Sequence, residues 1–301
     1  MVERESDRPE TYEGKLTFHG GAGEVTGANF LLETGAQKVL VDCGLLQGGD
    51  FSDTKNWDAF PYDPKTIDIL FVTHAHTDHI GRIPRLVSEG FNGRIYSTPP
   101  TKDIAAYMFD DALKVMRDEL RKRGNAHPPL YDENDIARTL ELWHTFEYHQ
   151  PIHLERGVRA QFRDAGHILG SAMVEFERKG RKLLFTGDLG NDHAPLATRT
   201  ETVEDATYVV MESVYGDRNH EGTEVRREVL EHAIEYARRK KGTLLIPAFS
   251  LERTQILLYE ISALLAAHKI DPLPVYLDAP LAIRLMGVYK NYPAYTKSDV
   301  Q

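Results

Sequence analysis

His74-Ala75-His76-Thr77-Asp78-His79 follows directly on the run Ile67-Asp68-Ile69-Leu70-Phe71-Val72-Thr73. The run reads as a buried strand, and the hexapeptide sets four metal-competent side chains at its end. Imidazole nitrogen and carboxylate oxygen are donors that zinc accepts. Extended backbone repeats every second residue, so His74 and His76 can point the same way. Asp78 and His79 fall where the chain enters a helix expected over 80–89, turned toward a neighbouring position. One short segment can therefore serve two adjacent metals. A chance scatter of surface histidines does not produce this density.

The chain has 301 residues, enough for one large domain or two ordinary ones, and 41% of them are hydrophobic. Its formal net charge is −10, so contact with nucleic acid would need a local basic patch rather than a global field. A single cysteine, Cys43, excludes an internal disulfide framework and fits a reducing cytosol. No apolar run approaches the length of a membrane span, and residues 1–10 read as a loose, disordered tail. The expectation is a cytoplasmic protein without membrane association.

Residues 15–42 read as a β meander around a glycine-rich turn at 20–23, which lacks the lysine of a phosphate loop. Apolar stripes predict helices over 101–123 and 132–145, the second capped by Asp132. Strands are expected at 158–162, 172–176, 182–186 and 208–211. After residue 213 the rhythm changes to a helix at 223–240, a strand at 243–246, a helix at 251–267, a strand at 275–277 and a helix from Pro280. Such alternation indicates a parallel sheet. The boundaries that follow are 11–212 for a β-rich domain and 213–301 for a partial α/β domain.

Two further strings have ligand chemistry at a strand end: Asp164-Ala165-Gly166-His167 and Thr186-Gly187-Asp188-Leu189-Gly190. Alone, His167 would be an ordinary histidine and Asp188 a turn aspartate; beside the first motif both become ligand candidates. The set VDCG at 41–44, HAHTDH at 74–79, AGHILGS at 165–171 and TGDLG at 186–190 resembles the metallo-β-lactamase fold superfamily, αββα sandwich hydrolases. The resemblance covers about residues 15–212. It implies that His74, His76 and His167 hold one zinc, that Asp78 and His79 hold a second, and that Asp188 bridges both. It places Asp42 behind the ligands, orienting one histidine.

The segments 211–220, 246–255 and 275–282 resemble the β-CASP branch of that superfamily, which contains ribonuclease J and the cleavage and polyadenylation endonuclease. The branch implies a ribonuclease with its active site between two domains. Glu212 matches its acidic motif, giving Asp78, Asp188 and Glu212 as catalytic residues. Ser250 and Arg253, at the start of the helix over 251–267, are candidate phosphate contacts, with plain capping and surface charge as the competing reading. Two Zn2+ ions could lower the pKa of a shared water and supply hydroxide for in-line attack on phosphorus. In the family the chain returns to complete the first domain and brings two more histidines. No histidine follows His268 here, so the expectation is a fragment or truncated gene product defective at its second metal. A small-molecule thioester hydrolase of the same fold and an inactive RNA-binding relative stay as alternatives. RNA against DNA, cleavage mode and a homodimer are left open. Metal retention is expected to fail as pH falls toward the ordinary histidine value of about 6.5.

Overall fold

The computed structural model describes residues 14–48, 54–124, 127–191, 193–218, 223–298 and 300. The expected tail at 1–10 and the pair Asn219-His220 lie outside the described residues. The first sheet has the order β1 (Lys15–Gly20), β2 (Asn29–Glu33), β3 (Lys38–Val41), β4 (Ile69–Phe71), β5 (Arg94–Ser97) and β6 (Trp143–Thr145). β1–β3 form the antiparallel meander, and β3 to β6 are mutually parallel. The crossovers use α1 (Thr77–Ile80), α2 (Ile83–Ser88), α3 (Pro99–Arg123) and α4 (Glu133–Glu141).

Strand alternation distributes the core. Val39, Val41, Ile69 and Phe71 face the second sheet, while Leu40, Leu70 and Val72 face α2 and α3, where Ile83, Leu86, Ile104 and Phe109 are buried. A parallel strand covered on both sides reads as the continuous apolar run seen at 67–73. The second sheet has the order β11 (Tyr208–Val210), β10 (Arg181–Phe185), β9 (Ala172–Arg178), β8 (Arg159–Asp164) and β7 (Ile152–His153). Phe162, Val174, Phe176 and Phe185 fill the space between the sheets. On the outer face, Ala165, Met173 and Leu184 are covered by Leu189, Val203 and Ala206, so a loop rather than a helix lies there among the described residues.

Several expectations need correction. The helix over 80–89 is two short helices, α1 and α2, separated at Gly81-Arg82. Asp132 caps α4 as expected and completes a capping box with Asp135, but the helix stops at Glu141. Trp143 belongs to β6, buried in the same core that an extended helix would have reached. α5 (Thr223–Arg239), α6 (Arg253–Ala266) and α7 (Pro280–Asn291) lie where helices were expected. The segments 243–246 and 275–277 form no strands, so the expected parallel sheet is not formed among the described residues. Leu245 and Tyr276 are 86% and 87% exposed. A pair of short strands with no apolar cover is at best marginal, whatever its propensity. Leu281, Leu285 and Val288 of α7 join the core beneath α3, whereas Ile234, Ile261, Leu264 and Ile270 form a separate small cluster with α5 and α6.

Gly44 shows how tightly the first motifs are packed. The backbone of 43–45 is zipped to that of 77–79: Cys43 N–H donates to His79 O at 2.8 Å and Leu45 N–H to Thr77 O at 3.0 Å. A Cβ on Gly44 would sit 1.5 Å from Asp78 O. Backbone cannot yield as a side-chain tip can, so Gly44→Ala should cost at least about 3 kcal/mol, the upper end of overpacking. Chemical denaturation measures it; an unfolding free energy within 1 kcal/mol of the unsubstituted chain, on the order of a tolerated swap, would contradict this packing.

Candidate metal centre

Topology brings the four motif-bearing strand ends to one edge. β3 and β4 are parallel neighbours, so Asp42 and Thr73 leave the first sheet side by side. β8 and β10 both run antiparallel to β9, so their ends release His167 and Asp188 in the same direction. Ala172 N–H donates to Thr73 O at 2.8 Å and joins the two sheets there. The loops touch through backbone: Gly190 N–H donates to Ala165 O at 2.9 Å, and a Cβ on Gly190 would meet Gly166 O at 1.7 Å.

His74 Nε2 lies 3.0 Å from His76 Nδ1, which lies 3.2 Å from His167 Nε2. Asp188 Oδ2 closes the group at 3.7 Å from His74 Nε2 and 3.5 Å from His167 Nε2. An ion with four bonds of about 2.0–2.2 Å separates its ligands by roughly 3.3–3.6 Å, the edge of a tetrahedron. The observed spacings scatter around that edge, and the donors are all nitrogen and oxygen. The other Asp188 oxygen, Oδ1, is 3.3 Å from His79 Nε2, and Asp78 Oδ2 is 3.9 Å from the same nitrogen. Asp188 therefore presents one oxygen to each group. The expected histidines and aspartates come together; Cys43 does not, being fully buried in the core.

Electrostatics divides the two groups. Burial pushes the imidazolium forms of His76 and His167 down to a pKa of about 4, helped by neighbouring histidines. His74 lies well below its usual range for the same reasons. Neutral imidazole is the form a metal requires. Burial also acts to lower His79, but the charges and hydrogen bonds of Asp42 and Asp188 outweigh it and hold His79 well above the usual value. Burial works to raise Asp188, yet the hydrogen bond and charge of His79 bring it down to about 2. Burial raises Asp78.

Glu212 is half-buried, takes a hydrogen bond from Val214 N–H at 2.9 Å on its own loop, and donates its N–H to Thr186 Oγ1 at 3.2 Å. That tie holds its backbone against Thr186, two residues before Asp188 in the chain, with the carboxylate turned to its own turn. Ser250 does not cap α6. The capping position belongs to Glu252, at φ 64° with no capping hydrogen bond from its side chain. Burial pushes the Glu252 carboxyl up to about 7 despite the hydrogen bond from Tyr289 and the charge of Arg253. Arg253 is exposed at the first residue of α6. Sequence alone does not single out Thr73, which touches Asp42, His74 and His79, or Ser171, whose Oγ accepts the N–H of His167 at 3.0 Å. The signal was position, each lying within four residues of a candidate ligand.

The profile of the Metallo-beta-lactamase superfamily matches residues 22–248. A ribonuclease of Thermus thermophilus is 37% identical over 95% of this chain and 63% of its own length. Cleavage and polyadenylation specificity factor subunit 3 of Dictyostelium discoideum is 31% identical over 92% of this chain and 36% of its own length. An RNase J-like protein of Methanocaldococcus jannaschii is 29% identical over 92% of this chain and 61% of its own. This chain thus spans between about a third and just under two thirds of these relatives. A solved structure from Enterococcus faecalis, of a protein of unknown function, shares the fold with a TM-score of 0.54 at 15% identity over 91% of this chain and 67% of that one. With its two facing sheets, its helices on the first, and its histidines and aspartates gathered at one sheet edge, the chain belongs to the metallo-β-lactamase superfamily.

Proposed function

We propose that this chain carries the catalytic centre of a zinc-dependent ribonuclease of the β-CASP type. The observation that carries the reading is Asp188, whose two oxygens face two separate groups of donors. His74, His76, His167 and Asp188 would hold one zinc; Asp78, His79 and Asp188 would hold a second. Two zinc ions there would acidify water and neutralise charge on the phosphate oxygens. Asp42 keeps a proton on His79 Nδ1 and so leaves Nε2 directed at Asp188. Glu212, anchored to Thr186, would act beside the scissile phosphate. Ser250 and Arg253 would meet flanking phosphates at the start of α6, with Arg253 the group that reaches solvent. RNA as the substrate is supported by the names of the relatives, which include a ribonuclease and a polyadenylation factor subunit. The single, buried Cys43 supports a reducing, cytoplasmic setting, and no helix among the described residues is long and apolar enough to cross a membrane.

Cleavage of a 5′-labelled single-stranded RNA, with a thioester as the competing substrate, tests this reading. Asp188→Ala should lower RNA cleavage by at least about 10²-fold, since it removes the ligand shared by both metals. Its circular dichroism should stay unchanged. Undiminished cleavage would remove Asp188 from the mechanism, and thioester turnover with intact RNA would redirect the assignment to a small-molecule hydrolase.

The protonation pattern alters the expected pH response. His76 and His167 are down near 4, so protons compete for the first group only in strong acid. His79 is held above its usual value, so a metal beside it must expel a proton even at neutral pH. On acidification the metal beside His79 should leave first, below neutrality, while the metal of His74, His76 and His167 persists to a pH near 4. Zinc per chain after dialysis should fall in two steps. One loss centred at the ordinary histidine value of 6.5 would show that burial does not order the sites.

A further inference from the structure

We propose that Thr73 is a positioning residue which fixes the tautomer of His74 and ties both metal positions to Asp42. The inference rests on the metal reading above. Proton counting carries it. The Thr73 hydroxyl has one proton, donated to Asp42 Oδ2 at 2.8 Å. Toward His74 Nδ1, at 3.0 Å, the same oxygen can then only accept. His74 must carry its proton on Nδ1, which leaves the Nε2 lone pair facing His76 and Asp188. Asp42 Oδ2 also accepts from His79 Nδ1 at 2.8 Å, a closer partner for that proton than Thr73 Oγ1 at 3.4 Å. The orientation of His79 is therefore set directly by Asp42, and that of His74 at one remove through Thr73.

Two further contacts make Thr73 a rigid link. Its N–H donates to Asp42 Oδ1 at 2.8 Å, so residue 73 holds both oxygens of one carboxylate and fixes its plane. Gly187, at φ 53°, packs against its side chain: a Cβ there would lie 2.8 Å from both Thr73 Cβ and Oγ1. The turn that presents Asp188 thus rests on Thr73. Valine has nearly the same shape as threonine without the hydroxyl, so Thr73→Val separates proton direction from this packing.

The test is zinc titration of the unsubstituted chain, Thr73→Val, Thr73→Ser and, as a control, His76→Ala. Thr73→Val should weaken zinc at the His74 group by about 10–100-fold, the usual effect of losing a partner behind a ligand. Thr73→Ser should restore it. In the metal-free unsubstituted chain, where no metal dictates the tautomer, nitrogen-resolved NMR should find the His74 proton on Nδ1, protected from exchange. This second measurement decides the question if Thr73→Val does not fold. Unweakened zinc in Thr73→Val, or a His74 proton on Nε2, overturns the role of Thr73 while His76→Ala still loses metal. If His76→Ala also binds zinc like the unsubstituted chain, the metal reading itself fails, and the proposal falls with it.

Discussion

The carboxylate of Asp42 is fully buried, yet three donors converge on it: Thr73 N–H, Thr73 Oγ1 and His79 Nδ1, each at 2.8 Å. A buried carboxylate is costly unless it is hydrogen-bonded and paired, and here both conditions are met. Asp42 sits at φ 59°, a left-handed conformation that aspartate tolerates better than most residues. That turn lets the chain leave β3 and immediately meet the end of β4. The rest of the site is assembled around this point. His74 and His79 take their orientation from it, and the loops of His167 and Asp188 pack against the same edge.

Close backbone approach is the second constraint. The loops carrying His79, His167 and Asp188 touch main chain to main chain at Gly44 and Gly190, where no side chain fits. Such contacts hold loops with the precision of a sheet and leave the candidate ligand side chains few orientations. The bond from Ala172 N–H to Thr73 O joins the two sheets at this edge, where imidazoles from segments 91 residues apart come within 3.2 Å. The site depends on the sandwich for direction, and these glycines hold residues 43–45 against 77–79 and the Asp188 loop against the His167 loop.

The strands and candidate ligands legible in the sequence are those with strong local signals. The run at 67–73, the meander at 15–42 and the HAHTDH string announce themselves by alternation, turn residues or ligand density. The pairing of β5 and β6 was not legible, because Trp143 continues the helical stripe of α4 before its burial in the first core assigns it to a strand. The helix over 80–89 was broken by Gly81, whose Cβ position is filled by Leu45, a contact remote in sequence. Local propensity at 243–246 and 275–277 favoured strands, but strands need neighbours, and these segments have none among the described residues. Ser250 looked like a cap because serine favours that position; the backbone turns two residues later, at Glu252. Thr73 carries no signal of its own, since it reads as the last residue of a strand and its contacts form only when Asp42 is brought beside it.

Charge at the site bears on how an acidic chain could accept RNA. Asp42, Asp78 and Asp188 bring three carboxyl groups around one set of imidazoles. His74, His76 and His167 are kept neutral by burial, so among these groups His79 is the cation that answers them. Burial relieves part of the negative charge by raising Asp78, while His79 keeps Asp188 ionised. A phosphodiester approaching this pocket without metal would meet a net negative field, added to a chain charge of −10. Two divalent cations held there would reverse the local sign, and at a partly buried site that reversal would be screened less than on the surface. The acidic composition and an anionic substrate are therefore compatible through the same aspartates: the groups that would repel RNA in the bare protein are the ones that would hold the charge that attracts it.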